Sequence, residues 1–137
     1  MKFPDNIKVY GDTSYRGDCP KEAKEQTTFF NRLRKEYPDT WGKIATHIKN
    51  ESKRYKHQAA RDKALGMTTG ASDIIIPGSP AFVCELKRKD HTESRIGRKQ
   101  VEYLIAAQNL GAFACIALGV DGAWDAFQDY LNKHHRN

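Results

Sequence analysis

Asp73, Glu85 and Lys87 are the residues of this chain whose types and spacing could do chemistry. In the run Ala81-Phe-Val-Cys-Glu-Leu-Lys87, a strand period of two sets Val83, Glu85 and Lys87 on one face and Phe82, Cys84 and Leu86 on the other. The first face is expected to carry chemistry and the second the core. A carboxylate and an ammonium two residues apart project side by side. Asp73, near the start of the β-rich run Ser72-Asp-Ile-Ile-Ile76, can lie opposite them if the two runs pair. Carboxylates brought this close raise each other's pKa unless a cation sits between them, and a hard dication such as Mg²⁺ or Mn²⁺ favours oxygen ligands. The ion would lower the pKa of a water and offset charge on a phosphoryl group, and the amine could hold that water or a phosphate oxygen. For an isolated D…E-x-K, a strand cap and a solvated ion pair are the favoured reading, because such triplets are common. A loop bracketed by Gly66 and Gly70, the intervening turn and basic flanks on both sides favour a site.

Several elements must position these groups. Pro77-Gly-Ser-Pro80 has the composition of a tight turn, so residues 72–76 and 81–87 should form an antiparallel hairpin. Upstream, Pro20 at a first-turn position, the acids Glu22 and Glu25, and Phe29, Phe30, Leu33 and Tyr37 at helical spacing predict a helix over 20–37 closed by Pro38. A strand over Lys43–Ile48 and a basic helix from Asn50 to Leu65, stopped by Gly66, should follow. Beyond the hairpin come a helix over Ser94–Leu110, a strand over Ala112–Leu118 and a helix over Gly122–Lys133. Residues 1–19 mix Pro, Gly and Asp without sustained periodicity and read as an irregular arm. The expected order is α-β-α-β-β-α-β-α, a single α/β domain over residues 1–137 around a small mixed sheet.

Composition narrows the classes. At 137 residues and 39% hydrophobic, the chain holds one core comfortably, and with 29% charged residues and apolar residues recurring in short periodic blocks it is expected to fold. No apolar leader and no run long enough to span a bilayer is present, so the expectation is a cytoplasmic protein with no membrane partner. Cys19, Cys84 and Cys115 are odd in number and widely spaced, which argues for a reducing compartment. The last two lie in apolar runs as buried structural thiols. The net charge of +6 is concentrated: Gly42–Lys63 holds seven basic and two acidic residues, and Leu86–Gln100 six and two. A polyanionic partner fits this distribution.

The residues Gly70-Ala-Ser-Asp73…Glu85-Leu-Lys87 resemble the PD-(D/E)XK nuclease superfamily, and more closely its viral-type replication-repair nuclease (VRR-NUC) branch. Other segments match that branch in order: Glu22-Ala-Lys-Glu-Gln26…Tyr37-Pro38 its opening helix, His47-Ile-Lys-Asn50-Glu51 the following strand and loop, Leu65-Gly66…Gly70 the approach to the aspartate, and Gln100 with Leu110-Gly111 the glutamine helix. Together these cover residues 20 to about 133. The resemblance implies a restriction-endonuclease-like core, with Asp73, Glu85 and the Leu86 backbone carbonyl as metal ligands. Lys87 would position or activate the water, and Gln100 would contact Lys87 or the scissile phosphate. Glu22 would complete the acidic site directly or through a water, with Glu25 as its competitor. Glu22 is preferred for its spacing to Gln26 and Tyr37-Pro38. Ser72 stands where the superfamily expects proline.

Lys53, Arg54, Lys56, Arg61 and Lys63 could follow a DNA backbone, while Arg88, Lys89, Arg95, Arg98 and Lys99, just past the E-x-K strand, are the better phosphate clamps. The five histidines lack metal-ligand spacing, except for a polar terminal pair, and read as surface residues. Ile105, Leu110, Phe113, Ile116 and Leu118 read as core, and a homodimer would present two centres to two strands. The expected function is a Mg²⁺- or Mn²⁺-dependent endonuclease on branched DNA such as a Holliday junction. The alternatives are a restriction-like or nicking nuclease on ordinary duplex, and a nucleic-acid-binding module that never cuts.

Overall fold

The hairpin forms where the turn composition places it. In the computed structural model, which describes residues 1–48 and 56–136, strand β3 (Ile74–Ile76) pairs antiparallel with β4 (Phe82–Lys87), with Ile74 opposite Cys84 and Ile76 opposite Phe82. The register continued by one residue sets Asp73 opposite Glu85. Strand β4 also pairs in parallel with β5 (Phe113–Leu118), and β2 (Thr46–His47) closes one edge against β3. The other edge is β1 (Lys8–Tyr10), parallel to β5. The sheet is mixed and five-stranded, in the order β1-β5-β4-β3-β2.

Helices cover both faces. On one, α1 (Glu22–Glu36) and α5 (Gly119–His134) bring Phe29, Leu33, Trp124, Phe127 and Tyr130 against Ile74, Phe82, Cys84 and Leu86. On the other, α4 (Arg98–Asn109) brings Leu104 onto Val83, Ala114, Ile116 and Leu118. Both faces of β4 are therefore buried, and Val83 belongs to the second core rather than to the chemical face. A strand flanked by two strands and two helical layers has no solvated side.

The expected order holds, with three additions. Residues 1–19 are not wholly irregular: Ile7 is buried and β1 adds a strand whose partner lies about a hundred residues away, beyond any local pattern. The strand expected over Lys43–Ile48 is instead a helical turn, α2 (Trp41–Ile44), followed by the two residues of β2. Gly42 explains it: a Cβ there would meet the Arg34 Cα at 2.6 Å, so α2 packs backbone to backbone on α1. The basic helix is described as α3 (Lys56–Ala64), and its expected first residues, with Lys53 and Arg54, lie outside the described residues. The helix expected from Ser94 begins at Arg98, after a 3₁₀ turn over His91–Glu93.

Two residue expectations are corrected. His91 is buried, and its Nε2 donates to the Thr13 carbonyl at 3.0 Å, tying the amino-terminal segment to the loop after β4. Leu110 is 90% exposed, because α4 ends at Asn109 and carries it past the last turn that packs on the sheet. Cys84 and Cys115 lie opposite each other, fully buried, and their mutual hydrogen bond and burial push the Cys84 thiol well up, as structural thiols require. Among the described residues no helix is long and apolar enough to cross a membrane.

Candidate active site

The end of β4 holds the residues singled out from the sequence. Glu85 is 1% exposed, and its Oε1 accepts from the Gln100 side-chain amide at 3.0 Å and lies 3.8 Å from the Lys87 ammonium. Among the described residues its other oxygen, Oε2, has no hydrogen-bond partner. Asp73, one residue ahead of β3, turns its carboxylate back to β4, where Oδ2 accepts from the Leu86 amide at 3.0 Å. In a strand the N–H and C=O of one residue point to the same side, so the Leu86 carbonyl also faces the gap beyond the end of β3.

Burial is the first cause of Glu85's raised pKa, pushed up to about 10, and the neighbouring Asp73 carboxylate is the next; Lys87 opposes them and Glu22 adds to them. With no cation present the carboxyl is therefore neutral at physiological pH. Glu22, half-buried in the first turn of α1, is also raised, first by burial, then lowered by Lys87 and raised by Asp73. Both carboxylates share one local field with Lys87.

Glu22 and Glu25 part company here. Glu25, three residues on, is 6% exposed and accepts from the Val120 amide at the start of α5. A Cβ at Gly119, whose φ is +70°, would sit 2.6 Å from the Glu25 carboxylate. Glu25 thus caps the positive end of α5, and Glu22 alone of the two faces Lys87.

Gln100 does two jobs: its Oε1 accepts from the Gly97 amide at 2.7 Å, fixing the first turn of α4, while its Nε2 reaches Glu85. The loop before Asp73 presses on the same turn. Gly70 has φ +84°, and a Cβ there would lie 2.5 Å from the Lys99 carbonyl. Ser72, where proline was expected, is fully buried, and its hydroxyl has no partner among the described residues.

The basic residues do not form one uniform clamp. Arg95 is exposed; Arg98 and Lys99 are exposed but pair with Glu102 at 2.9 and 3.5 Å. Arg88 is half-buried, donating to the Cys19 carbonyl at 3.3 Å, and Lys89 lies 4.4 Å from the Tyr15 ring. Arg61 and Lys63 are exposed on α3, which opens at Lys56. Sequence reasoning missed His47, whose Nδ1 donates to the Asp73 carbonyl at 2.8 Å. That bond spans 26 residues, and no spacing could have signalled it.

Asp73, Glu85 and the Leu86 carbonyl, at this end of β4, are oxygen donors of the kind that suits a hard cation. Among the described residues no three acidic, histidine or cysteine side chains converge tightly enough as they stand to hold an ion, so Glu22 stands outside this pair. The unpartnered Oε2 and the raised Glu85 are the imbalance that a cation between the two carboxylates would relieve.

No protein-family model and no curated protein matches this sequence. A solved structure described as a VRR_NUC domain protein superposes with a TM-score of 0.68, at 21% identity, over 84% of this chain and 91% of that one. The two share a fold.

Proposed function

We propose that this chain is a metal-dependent, structure-specific DNA endonuclease that hydrolyses phosphodiester bonds in branched DNA such as a Holliday junction. The observation that carries the reading is the buried Glu85 carboxylate, set opposite Asp73, oriented by Gln100 and flanked by the Lys87 ammonium. The shared fold with a VRR_NUC domain protein supports the nuclease class, and Asp73, Glu85 and Lys87 of the resembling motif meet at the end of β4.

Asp73, Glu85 and the Leu86 carbonyl would hold Mg²⁺ or Mn²⁺, with Glu22 as an outer carboxylate acting through water. When bound, the ion would supply an acidified water and charge neutralisation at the phosphoryl group. The chain's own groups do the rest. Lys87, held 3.8 Å from Glu85, is placed to bind the attacking water or a non-bridging phosphate oxygen. Gln100 fixes the Glu85 carboxylate so that it need not reorganise as charge develops. The exposed Arg95, Arg98, Lys99, Arg61 and Lys63 would draw in and register the DNA backbone. Cutting two strands of a junction calls for two such centres, and we assign the enzyme a homodimeric working form.

The test is a cleavage panel of four-way junction, flap and linear duplex DNA, run with Mg²⁺, with Mn²⁺ and with chelator. Junction scission that needs the ion and is lost in Glu85→Ala is expected. Preference for linear duplex would make the enzyme restriction-like. DNA binding with no scission under any ion would leave only a binding module.

A further inference from the structure

Beside the carboxylate pair, α1 and β2 flank a polar groove of about 260 Å³ lined by Gln26, Phe30, Asn31, Arg34, Thr46 and His47. Arg34 lies three residues after Asn31 and four after Phe30, so it shares an α1 face with each. Among the described residues the half-buried Gln26 amide and the exposed Asn31 amide bond to no protein group, which leaves both open to a ligand in the groove. The Arg34 guanidinium has no carboxylate and lies 5.2 Å from the Phe30 ring. His47 belongs to both places, lining the groove while its Nδ1 donates to the Asp73 carbonyl at 2.8 Å, which leaves Nε2 as an acceptor in the neutral ring.

The lining selects its ligand. One guanidinium among neutral amides and two threonine hydroxyls makes a weak phosphate site, whereas amide donor–acceptor pairs and a planar guanidinium are the groups that bond to base edges and stack on base faces. The volume, about 260 Å³, lies below the roughly 300–1,000 Å³ of drug-sized ligand sites and leaves room for a single base.

We infer that this groove takes one unstacked base of the substrate, that of the nucleotide adjoining the scissile phosphate, and so selects DNA whose strand is unpaired there. The inference rests on the nuclease reading above and deepens it: branch points supply an unpaired nucleotide that an intact helix does not. His47 joins the groove to the catalytic aspartate, so the bound base and the phosphate beside it would be positioned together.

The experiment uses the whole chain and a synthetic four-way junction in which a single abasic nucleotide is walked across the positions flanking the cut, with kcat and KM read in Mg²⁺. Asn31→Ala and Arg34→Ala lie on the exposed side of α1, and the first removes no charge. The wild type should lose about tenfold at one flanking position, the scale of one base contact. Asn31→Ala should lose a similar factor on the intact junction and nothing further on the abasic one. Cleavage in which the two losses multiply, in which no position is sensitive, or in which Arg34→Ala alone has an effect overturns the base pocket and leaves the nuclease reading standing. Absence of scission from every substrate by the wild type overturns both.

Discussion

The Gln100 side-chain amide donates to Glu85 Oε1 at 3.0 Å while its carbonyl holds the Gly97 amide at 2.7 Å. The carboxylate on the central strand is thereby oriented by the first turn of the helix packed on it. Gln100→Ala should lower junction cleavage by about 10–100-fold, the range for losing a partner that orients a ligand. The far-ultraviolet circular dichroism should stay unchanged. A loss that tracks unfolding would show Gln100 to be only a helix cap.

Glu85 sets a pH dependence with a definite sign. Its folded pKa, about 10, stands above the ordinary 4.5, so between those values the metal-free fold holds a proton that the unfolded chain releases. The stability tied to that proton is fully present below pH 4.5 and is lost as pH rises through about 10. Urea midpoints of the metal-free protein should fall from about pH 5 to about pH 9, and Glu85→Gln should flatten that slope. Mg²⁺ affinity should rise with pH, with proton release visible by calorimetry in buffers of different ionisation enthalpy.

Glu22 and Glu25 should separate cleanly by assay. Glu25→Ala removes the acceptor of the Val120 amide at the head of α5. It should cost about 1.5–3 kcal/mol in chemical denaturation, the worth of a charge-assisted hydrogen bond. Glu22→Ala should leave stability within about 0.5 kcal/mol and weaken cleavage or Mg²⁺ affinity. Reversed outcomes would make Glu25 the site carboxylate.

Salt dependence distinguishes the basic residues. Arg95→Ala, at an exposed side chain, should reduce the slope of log binding constant against log salt by about 0.9 if it contacts one phosphate. Arg88→Ala should lower the thermal midpoint, because that side chain ties Cys19 to the loop after β4. Equal effects on binding, with stability untouched, would place both on the DNA.

Asp73, Glu85 and Lys87 were legible in the sequence because the period of two and a Pro-Gly-Ser-Pro turn fix which side chains share a strand face and which strands pair. The order of elements followed from helical spacing of Phe29, Phe30 and Leu33 and from the β-branched runs. Long-range contacts decided the rest. Local pattern cannot show that Lys8–Tyr10 joins β5, or that Gly42 turns Trp41–Ile44 into a helix against α1. Nor can it show that α4 buries the chemical face, that Glu25 is engaged by α5, or that His47 reaches Asp73. Side-chain alternation and turn chemistry are properties of neighbouring residues, whereas burial, and with it the raised pKa of Glu85, depends on which distant elements pack over the strand.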